Sequence, residues 1–235
     1  GIIVGTSLPG VTLELIRRID KDGRVQFVII GRDQNGTVTL NPGDVFVTDL
    51  KYGNYCVDLV RVEESNVPIY VNVSLDVSGS MTQAMPTLRN SFTDFMSRLP
   101  DQAMCQVTLF DDQVVYLDLR TGDTAVYRPA ERCSTFIPTA QTTRNIQSYN
   151  GGTNLTNVLG QAYTETLKQA DSTNMVALLT DGDDRAGSRD RYNALRNTHQ
   201  QALELTGVYT LINWLGNYQP NSPIAALADE SIFGQ

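Results

Sequence analysis

Ile69-Tyr70-Val71-Asn72-Val73-Ser74-Leu75 is an apolar-rich run that ends on Asp76-Val77-Ser78-Gly79-Ser80. A short, β-branched stretch behind a proline and ahead of a Gly/Ser loop reads as a buried strand. Past the loop the period changes. Leu88, Phe92, Phe95, Met96 and Leu99 fall on one helical face. Met104 to Phe110 reads as a second strand, with Val114 to Leu117 as its hairpin partner and Asp111-Asp112 at the turn. Leu155, Val158, Leu159, Ala162, Thr166 and Leu167 share another helical face. A strand over Met175 to Thr180, a helix over Arg191 to Leu205, a strand over Val208 to Ile212 and a short last helix over Pro223 to Ala228 complete the pattern. Strands alternating with helices predict an α/β domain built on a doubly wound, mostly parallel sheet with helices on both faces. Ligands of such sheets bind at the carboxyl ends of the strands. The alternation lapses between Asp118 and Gly152, where a long loop is expected to be functional or mobile.

Upstream of this pattern the 235-residue chain changes character. Residues 1–64 show strands and turns only. Val11 to Leu15 alternates apolar and polar residues. Asp20-Lys21-Asp22-Gly23 supplies a turn, Val25 to Ile30 a return strand, and Asn35-Gly36 a second turn before Thr37 to Leu40. Asn41-Pro42-Gly43-Asp44 precedes Val45 to Val47, and Tyr55 to Val62 is the last strand expected. This spacing predicts a small all-β sandwich over residues 1–66, joined by a stiff linker at Glu63 to Pro68 to an α/β domain over residues 67–235.

Composition narrows the function. Hydrophobic residues are 41% and charged residues 19%, an ordinary globular balance, and no apolar run is long enough for a membrane span. The net charge of −8 argues against nucleic acid as a partner and is compatible with binding cations. With His199 as the single histidine, a zinc site built on several histidines is excluded. Cys56, Cys105 and Cys133 are an odd number in no CxxC spacing. Cys56 and Cys105 lie in strand-like runs where a buried free thiol is expected, and Cys133 is read as free in the long loop.

Three segments fall at the carboxyl ends of predicted strands or the start of a helix: Asp76-Val77-Ser78-Gly79-Ser80, Gly151-Gly152-Thr153 and Thr180-Asp181-Gly182. Each offers oxygen and neither nitrogen nor sulfur. Asp76, Ser78, Ser80, Thr153 and Asp181 together make an oxygen set suited to a hard dication, Mg²⁺ or Mn²⁺, with Ca²⁺ as a further candidate. The bland reading of each piece is a helix cap: Ser80 or Thr82 for the first helix, Thr153 for the middle one. Asp183 and Asp184 read as a solvated acidic turn, and His199 as an exposed or half-buried helix residue. Of three Asn-x-Ser/Thr sequons, at Asn35, Asn72 and Asn154, that at Asn72 lies in a predicted core strand.

In this order and on these elements, the three segments resemble the metal-ion-dependent adhesion site (MIDAS) of von Willebrand factor A (vWA) domains, over roughly Val67 to Gln235. The stretch from Val47 to Val57 resembles, less specifically, the Gly-x-Tyr ending of CnaB-like Ig modules, which are mostly scaffolds or stalks. The vWA resemblance implies a Rossmann-like fold and a role for each residue. Ser78 and Ser80 would ligate the ion directly. Asp76 and Asp181 would hold metal-bound waters. Thr153 would ligate when ligand is bound. A carboxylate of a protein partner, an Asp or Glu, would take the remaining position.

The expectation is a metal-dependent binding or adhesion module, extracellular or at a cell surface, with the sandwich as spacer. The rival is a cytoplasmic adaptor that assembles with an AAA+ ATPase, as vWA domains of metal chelatases do. An enzyme is disfavoured: Ser78 is not in a Gly-x-Ser-x-Gly elbow, no Gly-x-x-x-x-Gly-Lys loop occurs, and the three segments contain no histidine. The chain is expected to end just past its last helix, at Gln235.

Overall fold

In the computed structural model, which describes residues 2–21, 24–55, 59–60, 68–182, 187–216 and 222–233 (16–21 and 24 by backbone alone), the chain divides into two units, residues 1–66 and 67–235. The first unit contains two three-stranded antiparallel sheets. One is ordered β1 (Ile2–Thr6), β5 (Val45–Asp49), β6 (Gly53–Tyr55). The other is ordered β2 (Thr12–Lys21), β3 (Arg24–Asp33), β4 (Gly36–Val38).

Strand β1 has no counterpart in the sequence reading; its pairing with β5, more than forty residues on, makes it a strand. The second turn is displaced by one residue: Asp33 pairs with Gly36, so Gln34-Asn35 forms the turn and Gly36, at φ +124°, opens β4. Between β5 and β6 the Asp49 carboxylate accepts the Lys51 and Tyr52 N–H groups, at 2.7 and 3.1 Å, which closes that turn. Asp22-Gly23, Cys56, most of the expected strand from Tyr55 to Val62, and the linker up to Val67 lie outside the described residues.

The second unit is an eight-stranded mixed sheet, and its α/β architecture is as expected. Five strands run parallel in the order β8 (Met104–Phe110), β7 (Ile69–Asp76), β12 (Thr173–Thr180), β13 (Tyr209–Trp214), β14 (Glu230–Phe233). Beside β8 the sheet continues antiparallel through β9 (Val114–Leu117) and β10 (Thr124–Ala125), while β11 (Glu131–Arg132) also pairs with β8. Every position of β7 is buried, which is what a central strand covered on both faces requires.

Helices α1 (Met85–Arg98), α2 (Leu155–Leu167) and α3 (Arg189–Thr206) supply the cover. Leu155, Val158, Leu159, Ala162 and Tyr163 of α2 pack with Leu195 and Ala202 of α3 on Phe110, Val176, Leu178, Ile212 and Trp214. The alternate residues Ala177 and Leu179 point to the other face and are buried as well. Burying this much apolar side-chain area stabilises the unit at roughly 25 cal/mol per Å².

Three expectations are corrected. The last helix is only a 3-10 turn, Ala225–Leu227, and a strand, β14, comes after it. Cys105 and Cys133 are not free: they form a disulfide. The segment from Asp118 to Gly152 is not one uninterrupted loop. It carries β10 and β11, it is tied to β8 by that disulfide, and it buries Leu119, Phe136 and Ile146, with the Phe136 ring 4.9 Å from Phe92 of α1. Arg89 of α1 donates through Nε to the Ile146 carbonyl at 2.6 Å, and Asn145 donates to the Gly122 carbonyl at 2.7 Å.

Candidate metal centre

The sheet places the three segments at one edge. β7 lies between β8, reached next in sequence, and β12, reached after α2, so the direction of strand order reverses between β7 and β12. That reversal is where open α/β sheets bind ligands. Leu75 pairs with Leu179, which sets Asp76 and Thr180 side by side at the carboxyl ends of neighbouring strands.

Asp76 has no exposed surface. Its Oδ1 accepts the Ser78 N–H at 3.0 Å and its Oδ2 accepts the Thr180 hydroxyl at 2.6 Å. Thr180 Oγ1 in turn accepts the Gly182 N–H at 3.0 Å. Burial pushes the Asp76 carboxyl up to about 6; the hydrogen bonds from Thr180 and Ser78 oppose that rise and the nearby Asp181 charge adds to it. A carboxylate sealed from water in this way is stabilised by a cation, and a dication reverses the local balance. Asp181 is partly exposed, directly after Thr180. Gly182, at φ +88°, stands over the Trp214 ring, where a Cβ would come within 2.6 Å of the indole.

Beyond Asp76 the chain enters a 3-10 turn, Gly79–Gln83, rather than a capped α-helix. Neither Ser78 nor Ser80 caps it by side chain; their hydroxyls meet each other at 3.1 Å, Ser78 buried and Ser80 exposed. The N-cap of α1 is Ala84, again without a side-chain cap. Thr82 bonds the Gly79 carbonyl and shares a hydrogen bond with Ser148.

Thr153 is also free of capping. Asn154 is the N-cap of α2 and accepts the Asn157 N–H. Thr153 is 2% exposed, and among the described residues its hydroxyl has no hydrogen-bond partner. The Thr153 loop is locked onto the Ser78 loop through backbone: Gly79 N–H donates to the Gly151 carbonyl at 3.1 Å, Tyr149 N–H donates to the Val77 carbonyl at 2.7 Å, and Ser148 Oγ donates to the Ser78 carbonyl at 2.9 Å. A Cβ on Gly79 would touch this loop at Tyr149, Asn150 and Gly151.

The structure therefore brings Asp76, Ser78 and Ser80 into direct contact with one another or with Thr180, and binds the loop that carries Thr153 to the loop that carries Ser78. Asp183 and Asp184 lie outside the described residues. Ser148 has no place in the sequence reading; Thr180 appears there only as part of its motif, with no role of its own; and Asp111-Asp112 forms the expected turn but also lies against Gly151 and Gly152.

The donor set fits a small hard ion. An octahedral Mg²⁺ at roughly 2.0–2.1 Å from each ligand separates neighbouring ligand oxygens by roughly 2.9 Å. The Ser78 to Ser80 hydroxyl spacing of 3.1 Å lies close to that edge. No group of three His, Cys, Asp or Glu side chains that could hold a metal occurs among the described residues, so a site here would rest on hydroxyls.

By sequence the chain matches no family model and no curated protein. Solved structures match its fold. It is similar to a von Willebrand factor type A protein from Catenulispora acidiphila, with TM-score 0.55 and 16% identity over 81% of this chain and 41% of that one. It is also similar to an aerotolerance-related membrane protein from Bacteroides fragilis, with TM-score 0.50 and 12% identity over 71% of this chain and 92% of that one. Proximal thread matrix protein 1 from the mussel byssus, a structure with a zinc-occupied MIDAS motif, matches at TM-score 0.47 and 16% identity, over 72% of this chain and 42% of that one. This chain thus spans less than half the length of the Catenulispora protein. The fold of the α/β unit is that of a vWA domain.

Proposed function

We propose that the α/β unit is a metal-dependent protein-binding module, in which Ser78, Ser80 and Thr153 hold a Mg²⁺ or Mn²⁺ ion, and Asp76 and Asp181 orient its waters. The bound ion would supply an electrophilic position for an Asp or Glu carboxylate of a partner protein. The observation that carries this reading is the Ser78 and Ser80 hydroxyl pair, turned toward each other 3.1 Å apart and not toward a helix end. The buried Asp76 behind the pair supports it, as does a Thr153 hydroxyl that is bonded to no group among the described residues. A site with hydroxyls as its direct protein ligands leaves the ion under-neutralised, which favours an incoming anion.

The chain's own residues do the remaining work. Thr180 holds Asp76 in one orientation, and Ser148 and Gly79 fasten the Thr153 loop to the Ser78 loop. The N-terminal unit, residues 1–66, serves as a β-sandwich spacer in this proposal.

An extracellular or cell-surface setting is favoured over the intracellular adaptor reading by the Cys105–Cys133 disulfide, since such bonds persist in oxidising compartments. No helix among the described residues is long and apolar enough to cross a membrane.

Calorimetric titration of Mg²⁺ and Mn²⁺ into the wild type and Ser78→Ala tests the metal. The wild type is expected to give a saturable heat that Ser78→Ala loses; equal heats from both would overturn the assignment. Capture of protein partners in Mg²⁺ and in EDTA tests the bridge.

A further inference from the structure

The chain contains two Asn-Gly pairs, Asn35-Gly36 and Asn150-Gly151. Such a pair can modify itself. The main-chain nitrogen of the glycine attacks the Asn side-chain carbonyl carbon, and glycine has no Cβ to obstruct the approach. The new bond from that nitrogen to Cγ closes a succinimide ring. The side-chain amide leaves as ammonia, taking the proton that the glycine nitrogen gives up. Water then opens the ring. Attack at Cγ breaks the bond just formed and yields Asp. Attack at the main-chain carbonyl carbon breaks the original peptide bond and yields isoaspartate, whose main chain runs through Cβ and Cγ and is longer by one methylene. Nothing is oxidised or reduced, and water is the co-reactant.

Both asparagines are exposed, so the glycine N–H separates the pairs. Gly36 pairs with Asp33 across β3 and β4, and a two-residue turn of this kind bonds its last N–H back to its first carbonyl. The Asn35 N–H is held as well, by Asp33 Oδ1 at 2.7 Å. The Gly151 N–H, by contrast, donates to no group among the described residues, and the Asn150 side chain bonds to none of them. Asp181-Gly182 could close the same ring with loss of water, but there the Gly182 N–H donates to Thr180 Oγ1 at 3.0 Å. The position of Asn150 gives the reaction a consequence. The main chain is fastened on either side of it: the Tyr149 N–H donates to the Val77 carbonyl at 2.7 Å, and the Gly151 carbonyl accepts the Gly79 N–H at 3.1 Å. An extra methylene lengthens the span between two anchors set for a shorter one, so one of them gives way. The new carboxylate also joins a rim that already holds Asp111 against Gly151, and like charges there repel.

We propose that Asn150 is a self-modification site: it deamidates through Gly151 and, as isoaspartate, unfastens the Thr153 loop from the Ser78 loop. Neither step involves the ion of the preceding proposal, so the two stand or fall separately.

The test ages the full 235-residue chain in warm, mildly alkaline buffer, beside Asn150→Gln, whose longer side chain closes the larger ring far more slowly. Peptide mass mapping follows conversion of amide to acid at Asn150 and Asn35, and chromatography separates isoaspartate from Asp. Amide hydrogen exchange then reads the Gly79 and Tyr149 N–H groups in fresh and aged protein. Asn150 is expected to convert roughly tenfold faster than Asn35, the factor set by one hydrogen bond that Gly36 must first release. In the isoaspartate fraction at least one of the two N–H groups exchanges roughly tenfold faster, by the same reasoning. Aged Asn150→Gln keeps both protected. In urea the two pairs convert at similar rates. Conversion at Asn150 no faster than at Asn35, or a difference that persists in urea, overturns the structural assignment of the site. Conversion that leaves both N–H groups as protected as before overturns the unfastening.

Discussion

Replacing Thr180 by Val keeps the shape of the side chain and deletes one oxygen. That oxygen donates to Asp76 Oδ2 at 2.6 Å and accepts the Gly182 N–H at 3.0 Å. Asp76 has no exposed surface, so water does not replace the lost donor. A hydrogen bond to a charged group is worth about 1.5–3 kcal/mol. In a domain of this size each kcal/mol moves the melting temperature by about 2–4 °C, which places Thr180→Val roughly 3–12 °C below the wild type. Mg²⁺ sharpens the test. Saturation at a hundredfold over Kd stabilises the wild type by about 2.7 kcal/mol, and a mis-set Asp76 reduces that gain in the variant. Thr180→Ser retains the hydroxyl and is expected to retain most of the Mg²⁺ response. The assay is thermal unfolding of the three proteins with and without Mg²⁺. A Thr180→Val protein that melts within a degree of the wild type and shows the full Mg²⁺ gain would refute the role given to Thr180.

Other consequences concern the scaffold. His199 is half-buried on α3 with its ring 4.9 Å from Tyr163; among the described residues its Nε2 has no partner, and burial lowers its pKa below 6.5. The unfolded chain therefore binds the proton more readily, so this contribution to stability is present above pH 6.5 and is lost as pH falls below it; urea midpoints of His199→Gln should lack that slope. Cys105→Ser/Cys133→Ser opens a loop spanning 28 residues and is expected to cost about 3–4 kcal/mol, read as a lower urea midpoint. Gly122 has φ +72° and a Cβ there would meet the Gln141 carbonyl at 2.3 Å, so Gly122→Ala should destabilise by about 2 kcal/mol or more. Gly160 of α2 has open space around it, and Gly160→Ala should stabilise by about 0.5–1 kcal/mol.

Local pattern carries the part of the fold that was legible in the sequence. β7, β8 and β12 are runs of buried residues, and Leu155, Val158, Leu159 and Ala162 mark the buried face of α2 by spacing alone. The DxSxS segment, Gly-Gly-Thr and Thr-Asp-Gly announce themselves by residue type. The unread parts depend on partners distant in the chain. Thr180 reaches Asp76 across 104 residues, and nothing beside Thr180 shows it. Asp111 and Asp112 do form the turn their sequence suggests, but their packing on Gly151 and Gly152 is set by the sheet. Strand β14 is short, with no buried residue, and exists through its pairing with β13. The disulfide was hidden because Cys133 falls where periodicity lapses; β11 brings it to β8. The two glycines also carry a negative signal that sequence spacing alone does not reveal: side chains there would displace the rim carboxylates.

The most direct measurement is anomalous diffraction from a crystal of the chain soaked in Mn²⁺. The account predicts one anomalous peak roughly 2.2 Å from the hydroxyl oxygens of both Ser78 and Ser80, with Asp76 behind it. Crystals in which those two hydroxyls stay bonded to each other, with no peak beside them at saturating Mn²⁺, would contradict it.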